Sequence, residues 1–282
     1  MAKRSRGGKG LLTHRVPLLI GTGIVLLLFT VAIFYRPLVE WWRVPEEVAR
    51  VEKIPPFIKP PRTRVAIVID DMGRDMESLR DIRDLGVPIT VAVLPYLTHS
   101  RKVAEEARAM GSEVLLHLPM EPVDMAHNDP GKGALLTGMN EAEVTAQVES
   151  NLDALPFIDG VNNHMGSRFT GDERLMRVAL ETVKRRGNLF FLDSRTTADS
   201  KAYRIARELG LRAAKREIFL DNRRERAYIK GQVATLIDRA KQNGQAVAIG
   251  HPHEETISAL REMLPLFKDE GVSVVPLSEL IE

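Results

Sequence analysis

Short apolar runs alternate with longer amphipathic stretches from residue 64 to residue 282, and this alternation restricts the fold more than any other feature of the sequence. Eight of the apolar runs have the length and composition of strands buried on both faces. Seven amphipathic stretches separate them, and several end at a glycine, as helices commonly do. The strand candidates are residues 65–70, 89–94, 113–117, 160–163, 189–193, 217–220, 245–249 and 272–275; the helix candidates are residues 74–85, 98–110, 140–154, 172–186, 199–209, 224–243 and 254–270.

Strands and helices that take turns along a chain predict a parallel α/β fold. Eight strands in about 220 residues favour a closed or nearly closed (β/α) barrel. An open, flavodoxin-like sheet is the alternative that the same pattern permits. In a parallel barrel the carboxyl ends of all strands meet at one rim, so residues distant in sequence are expected to converge there.

The first 63 residues have a different character. Basic residues precede any acidic one, and residues 16–35 then carry no charge. At about 1.5 Å per residue, such a helix spans a bilayer core of roughly 30 Å. The charge distribution predicts a cytoplasmic tail (1–15), a transmembrane anchor (16–36), a proline-rich linker (37–63) and a domain (64–282) on the periplasmic side of the cytoplasmic membrane. A cleaved signal peptide is the alternative.

Composition excludes several classes of function. The net charge is only +2, and the first fifteen residues alone hold five basic and no acidic residues, so no strong basic face is expected in the rest of the chain for nucleic acid. Cysteine is absent, which excludes disulfides and thiolate-bound metals. Any metal would therefore be held by His, Asp or Glu. Nothing in the sequence indicates an oligomeric state.

Polar residues follow the apolar runs at the end where the rim is expected. Asp70 and Asp71 end the first run, and His117 ends the third. Each could instead cap a helix or form a turn. The repetition of the pattern at the same end of several runs favours a shared site. The later runs end in residues 162–164, 193–195, 221–222 and 250–253.

One carboxylate and two imidazoles would hold a divalent cation, with Zn²⁺ the expected ion, and leave positions open for water and substrate. The predicted ligands are Asp71, His117 and His164. Asp70, beside a ligand, is predicted to accept a proton as the general base, and His251 to protonate the leaving nitrogen.

Five further residues receive supporting roles. Asp193 is predicted to be a ligand or to orient a neighbouring imidazole. Asn163, Arg168 and Arg195 are expected to bind the substrate. Glu121 follows His117 by four positions and could be a further ligand, a carboxylate supporting a ligand, or a loop residue.

Five segments together resemble the divergent polysaccharide deacetylase family, a branch of the NodB-like deacetylase superfamily. The resemblance covers about residues 64–282. It rests on the segments AIVIDDMG (66–73), LLHLPMEP (115–122), GVNNHMGSRFT (160–170), FFLDSRTT (190–197) and AIGHP (248–252).

The resemblance implies an irregular (β/α) barrel that hydrolyses N-acetyl groups on glycans with a divalent metal. It matches Asp70 to the base, Asp71 and His117 to ligands, and His251 to the acid. The sequence departs from the main family at Glu121, which stands where a histidine is usual. An arginine–proline–tyrosine segment and a tryptophan after Asp193 are also missing, and His164 is expected to supply the lost imidazole.

Three functions are consistent with these residues. The first is a hydrolase that cleaves amide (C–N) bonds in an N-acetylated cell-envelope polysaccharide. The second is a non-catalytic module that binds a glycan or an envelope protein on the same rim. The third is a membrane-anchored scaffold, which the clustering of the rim residues favours least.

Overall fold

The computed structural model describes Thr30, Ile33 and residues 63–155 and 157–281. In this part of the chain, nine strands form one parallel sheet and seven α-helices pack on it. The strands are β1 (Thr63–Met72), β2 (Thr90–Val93), β3 (Val114–Met120), β4 (Gly160–Met165), β5 (Phe190–Asp193), β6 (Ala213–Lys215), β7 (Ile218–Phe219), β8 (Gln245–Gly250) and β9 (Val272–Val274). The helices are α1 (Glu77–Arg83), α2 (Ser100–Ala109), α3 (Glu141–Ala154), α4 (Glu173–Arg185), α5 (Ala202–Glu208), α6 (Arg226–Asn243) and α7 (Glu254–Asp269).

The sheet is curled into an incomplete barrel. Its strands follow the order β6-β5-β4-β3-β2-β1-β8-β7, and β9 pairs with the beginning of β1. Only Arg216 and Glu217 separate the end of β6 from the start of β7, although these strands lie at opposite ends of the order. Two residues span at most about 11 Å between their neighbours. The two edges of the sheet must therefore approach each other, leaving a narrow seam.

Successive side chains of each strand point to opposite faces of the sheet, and both faces are buried. Val65, Ile67 and Ile69 belong to the large core shared with the helices. Ala66 and Val68 belong to a smaller core inside the barrel, which Leu277 and Leu280 of a C-terminal 3₁₀ turn help to fill. This alternation determines which strand residues can reach the interior of the barrel.

The prediction of a parallel α/β fold curled towards a barrel is confirmed. All seven predicted helices are present with shorter ends, and α3 begins at a capping box formed by Asn140 and Glu143. The β6 strand was not predicted, because Ala213–Lys215 is too short to form a recognisable apolar run.

The predicted tail, anchor and linker lie outside the described residues, apart from the helical Thr30 and Ile33 and from Thr63, which begins β1. None of the helices in the described part of the chain has the length and apolar character needed to cross a membrane. The anchor at 16–36 and the location of the domain stay predictions.

Candidate functional site

The barrel interior brings together side chains from four strand ends. Because positions two apart share a face, the interior face of β1 continues from Ala66 and Val68 to Asp70. The same alternation places four further polar residues on the interior side of their strands. They are His117 on β3, Asn162 and His164 on β4, and His251 just after β8.

Asp71 breaks this alternation through an irregularity of β1. A regular strand would turn Asp70 and Asp71 to opposite faces. Between Ile69 and Met72, β1 contains one residue more than the paired segment of β2, which is a β-bulge. Asp71 has a positive φ of 59°. Both carboxylates consequently approach one imidazole nitrogen, His117 Nε2, at 3.6 Å from Asp70 Oδ2 and 3.2 Å from Asp71 Oδ1.

Three potential ligand atoms form a compact triangle. Asp71 Oδ1 lies 3.2 Å from His117 Nε2 and 3.0 Å from His164 Nδ1. The two imidazole nitrogens are 3.0 Å apart. Around a cation with bonds of about 2.0–2.1 Å, neighbouring ligand atoms are about 2.9 Å apart in octahedral and about 3.3 Å apart in tetrahedral geometry. The triangle therefore has the size that a divalent ion requires.

The polar atoms of this triangle also fit a metal chemically. Asp71 Oδ1 is buried and accepts no well-directed hydrogen bond from any described residue, and a buried polar oxygen without a partner is costly. His117 Nδ1 lies 2.9 Å from Asn162 Oδ1. Since Asn162 donates from its Nδ2 to Asp70 Oδ1 at 2.8 Å, its Oδ1 must accept from His117 Nδ1. In the neutral imidazole, the lone pair of Nε2 then faces the triangle.

Charges in this cluster perturb its pKa values. Burial raises the pKa of Asp70 above its ordinary value. Burial would also raise the pKa of Asp71, but the contacts with His117 and His164 outweigh it and hold that pKa well below its usual range. Burial alone would lower the pKa of His117, yet Asp70 and Asp71 raise it overall, whereas burial lowers the pKa of His164. A bound cation would supply a positive charge beside Asp70 and Asp71 and would require His117 in its neutral form.

A second pair lies beside the triangle. His251 Nδ1 donates to Asp221 Oδ1 at 3.0 Å, while His251 Nε2 lies 3.8 Å from Asp71 Oδ2. Burial would lower the pKa of His251, but the hydrogen bond and charge of Asp221, followed by the charges of Asp70 and Asp71, raise it to about 9. His251 is therefore held protonated at neutral pH, with Nε2–H directed towards the triangle.

Asp221, His251 and His253 also lie close enough together to be considered as metal ligands. The rings of the two histidines are nearly parallel, with centroids 5.5 Å apart and planes inclined by 30°. The other oxygen of Asp221 accepts hydrogen bonds from Thr256 and from the backbone N–H of His251. The arrangement fits a hydrogen-bonded pair better than a second metal centre.

Two predicted site residues belong to the outer face of the sheet. Asp193 follows Leu192, which faces the barrel interior, so its carboxylate points towards the helices. It accepts hydrogen bonds from the N–H groups of Arg195 and Tyr203 and from Ser200 Oγ. Asp193 therefore does not join the triangle or contact an imidazole, because the alternation of the strand directs it away from the site.

Asn163 is likewise separated from the interior by the alternation of β4. Its side chain is 1% exposed. The amide donates to the carbonyl of Met165 and accepts from the N–H of Ser194. Both ends of the amide are thus used to join β4 to the segment after β5, so the predicted contact with substrate is not supported.

Glu121 and Arg168 pair with each other outside the triangle. Glu121 Oε1 lies 3.2 Å from Arg168 Nε, and Oε2 accepts from the hydroxyl and the N–H of Thr137. Since β3 continues to Met120, His117 and Glu121 are separated by about 13 Å of extended chain, not by one helical turn. Glu121 therefore does not join the triangle of Asp71, His117 and His164.

Arg168 is half-exposed and also donates to the carbonyl of Val123. Arg195 has a positive φ of 47°, and its side chain is exposed at the rim after β5. Substrate binding by either arginine stays a prediction.

Asn162 and Asp221 were not predicted to have functional roles. Both could have been found from the period of two along a strand. Asn162 shares a face with His164, and Asp221 shares one with Phe219, which packs against the interior core. The sequence alone does not show which face of each strand points into the barrel.

Comparison with known proteins agrees with the family resemblance seen in the sequence. The family model described as divergent polysaccharide deacetylase matches residues 67–281. The uncharacterized protein YibQ of Escherichia coli K12 is 37% identical over 201 residues, which cover 71% of this chain and 62% of that protein. An uncharacterized protein of Haemophilus influenzae Rd is 38% identical over 200 residues, covering 71% and 70% of the two chains.

Among solved structures, an uncharacterized protein of Agrobacterium tumefaciens C58 superposes with a TM-score of 0.73 at 25% identity. The superposition covers 77% of this chain and 89% of the other. Its agreement extends over most of the described barrel.

Proposed function

The chain belongs to the divergent polysaccharide deacetylase family, and from this premise we propose that it is a metal-dependent hydrolase that deacetylates an N-acetylated cell-envelope polysaccharide. The triangle formed by Asp71, His117 and His164 carries the proposal, because its atoms lie 3.0–3.2 Å apart. Two groups that can transfer protons lie beside the triangle. Asp70 is next to His117, and His251 is next to Asp71.

Asp71, His117 and His164 would hold the cation, and one carboxylate with two imidazoles is a donor set that suits Zn²⁺. When bound, the cation would polarise the amide carbonyl and make a water molecule more acidic. Asn162 keeps His117 in the tautomer that a ligand needs, since its amide is held in turn by Asp70.

Asp70 is suited to accept the proton of the attacking water. Its carboxylate is buried, which raises its pKa and makes it a stronger base than an exposed aspartate. Asn162 occupies Oδ1, so Oδ2 is the oxygen that faces His117 and the triangle.

His251 is suited to deliver a proton to the amine that leaves. It is protonated at neutral pH because Asp221 accepts its Nδ1–H. Its Nε2–H faces Asp71 across 3.8 Å. Base and acid thus approach the reacting amide from separate strands, β1 and the end of β8, as proton transfer in both directions requires.

Acetate release from N-acetylated glycans tests the proposed activity. The full-length protein, after removal of metals, is expected to release no acetate from a panel of N-acetylated oligosaccharides. Readdition of Zn²⁺ is expected to restore release. Metal-loaded protein that binds a glycan but releases no acetate from any of them would instead support the binding module, and failure to bind any glycan would support the scaffold.

The proposal places the domain on the periplasmic side of the cytoplasmic membrane. The support is the uncharged segment at 16–35 and the basic residues before it. In intact cells whose outer membrane has been permeabilised, an added protease is expected to digest the domain. A domain that stays protected until the inner membrane is lysed would contradict this location.

A further inference from the structure

Arg216 lies in the seam of the barrel, in the two-residue link between β6 and β7. Its side chain is half-buried. The guanidinium donates from Nε to the carbonyl of Ser194 at 2.6 Å and from Nη2 to the carbonyl of Arg195 at 2.7 Å. These two bonds fix the planar group against the segment that follows β5.

An aromatic ring connects Arg216 with the proposed acid. The guanidinium carbon lies 4.8 Å from the centre of the Phe219 ring, and the same ring is 5.4 Å from the His251 ring. The guanidinium is therefore no farther from His251 than these two distances together. A substrate held at His251 that extends about 10 Å towards Phe219 would therefore reach Arg216.

The positive charge of Arg216 has no acidic partner. Within the described residues, no carboxylate lies within salt-bridge distance of its guanidinium. The carboxylate of Asp193 already accepts three hydrogen bonds. Burial, followed by the charge of Arg195, lowers the pKa of Arg216, and the more distant charges of Asp193, Asp70 and Glu217 offset this only in part. A half-buried cation that also faces a second cation is costly unless an anion joins it.

The remaining donors of Arg216 are also free. Its two backbone bonds use Nε and Nη2, and no residue in the described ranges accepts a hydrogen bond from Nη1. Arg195 adds an exposed guanidinium from the same segment. A planar donor group of this kind is suited to an oxyanion, which can accept two parallel bonds.

We infer that the glycan carries an anionic oxygen group, a carboxylate or a phosphate, which Arg216 binds at the seam beside the scissile acetamide while Arg195 contributes a second positive charge. The inference rests on the proposed deacetylase function and adds the class of substrate. Arg216 would act as a specificity residue and takes no part in the proton transfers.

The test compares matched oligosaccharides on the full-length, zinc-loaded protein. One probe is a tetrasaccharide of alternating N-acetylglucosamine and N-acetylmuramic acid, and its control is the same molecule after reduction of the carboxyls to alcohols. A phosphorylated N-acetylglucosamine oligomer forms a third arm. Dissociation constants are measured by calorimetry, and acetate release is measured in parallel. The wild-type protein is expected to bind at least one anionic probe about tenfold more tightly than its neutral counterpart.

Variants separate recognition from folding. Arg216→Gln is expected to abolish the preference for the anionic probe, and Arg216→Lys to retain part of it because the charge remains. Arg195→Gln removes an exposed side chain with no hydrogen-bond partner among the described residues, and is expected to reduce the preference by a smaller factor. Arg261→Gln, on the exposed surface of α7, changes the net charge equally and should retain the full preference.

Equal binding of charged and neutral probes by the wild-type protein would overturn the inference. So would an equal loss for both probes in Arg216→Gln with a preserved melting temperature, since that is the result of a purely structural role. Failure of the proposed function has a different signature, because a protein that releases no acetate can still show the binding preference.

Discussion

Asp71 combines a strained backbone with a proposed metal ligand. A left-handed conformation costs a residue with a side chain roughly 1–2 kcal/mol, and such strain persists where the surrounding structure imposes it, often at functional sites. In this protein, the strained residue is the one whose carboxylate must leave the alternation of β1 to meet His117 and His164. The strained conformation of Asp71 therefore directs its carboxylate towards His117 and His164.

Mutations of the two adjacent aspartates are predicted to affect different properties, zinc binding for Asp71 and acetate release for Asp70. Asp71→Ala removes a ligand and is expected to abolish stoichiometric zinc binding. Asp70→Asn keeps the ligands and should bind zinc, while acetate release falls by at least about 100-fold because a general base is lost. Metal analysis after dialysis and an acetate assay check both effects. Asp81→Asn, on the exposed face of α1, should match the wild type, and loss of zinc in Asp70→Asn would contradict the division of roles.

Asn162 is predicted to affect metal binding although it is not one of the proposed ligands. Asn162→Ala removes the acceptor that orients His117, and loss of such a supporting group typically lowers metal affinity about 10- to 100-fold. Competition with a chromophoric zinc chelator measures the change. Asn128→Ala, in an exposed loop, is the control. Unchanged affinity in Asn162→Ala would show that His117 does not depend on this contact.

The pair formed by His251 and Asp221 predicts a pH-dependent stability of the metal-free protein. Since the folded-state pKa of His251 is raised from 6.5 to about 9, its contribution is fully present below pH 6.5 and is lost as pH rises through about 9. Asp221→Asn removes the charge that produces the shift. The difference in unfolding free energy between wild type and variant should thus be larger at pH 6 than at about pH 10, as measured by urea denaturation.

The histidine signals in NMR spectra provide an independent measurement of the same effect. His251 should titrate near pH 9 in the metal-free wild type and at lower pH in Asp221→Asn. His127→Gln, which removes an exposed histidine paired with Asp124, is a control that should leave the His251 titration unchanged. A His251 pKa that is the same with and without Asp221 would contradict the assignment of the pair.

At the level of elements, the carboxyl ends of β1, β3 and β4 form the site and their register is determined by close packing. His117 pairs in register with Asn162, and Pro119 pairs with His164. The beginning of β4 is held against β5 at Gly160, which pairs with Phe190. A side chain at Gly160 would meet the Phe190 ring at 2.5 Å and the Phe190 carbonyl at 2.8 Å. This glycine lets β4 and β5 approach closely enough for pairing.

Gly160→Ala is predicted to destabilise the protein by about 1–3 kcal/mol, since overpacking against backbone cannot be relieved by rotating a side chain. Chemical denaturation measures the loss. Gly231→Ala is the matched control, because it adds the same methyl group inside α6 where nothing lies within 4 Å. It should be neutral or stabilising by up to about 1 kcal/mol. Equal effects of the two substitutions would contradict the packing argument.

At the level of the whole molecule, the curl of the sheet makes the site possible. Strand β2 lies between β1 and β3, yet Asp71 and His117 approach to 3.2 Å. A flat sheet would keep alternate strands about 9.6 Å apart. Closing the barrel towards the seam therefore determines both the triangle of Asp71, His117 and His164 and the position of Arg216 between the sheet edges.

Because the proposed ligands come from three strands, metal binding is predicted to stabilise the entire domain. Free zinc at 100 times the dissociation constant adds about 2.7 kcal/mol, which raises the melting temperature of a domain of this size by about 5–10 °C. Calorimetry with zinc and with a chelator measures the shift. The shift should persist in Asp81→Asn and disappear in Asp71→Ala, and its persistence in Asp71→Ala would place the metal elsewhere.

The sequence by itself determined the alternating α/β class, the strand ends that carry polar residues, and the family. These properties depend on burial and periodicity, which neighbouring residues encode. Tertiary structure decided which polar side chains meet: it joined Asp71 with His117 and His164, paired His251 with Asp221, and turned Asp193 and Asn163 outwards. A shift of one residue in a strand reverses the direction of its side chains. The inward face of each strand is selected by the bulge in β1 and the curl of the sheet, which arise from contacts between distant parts of the chain.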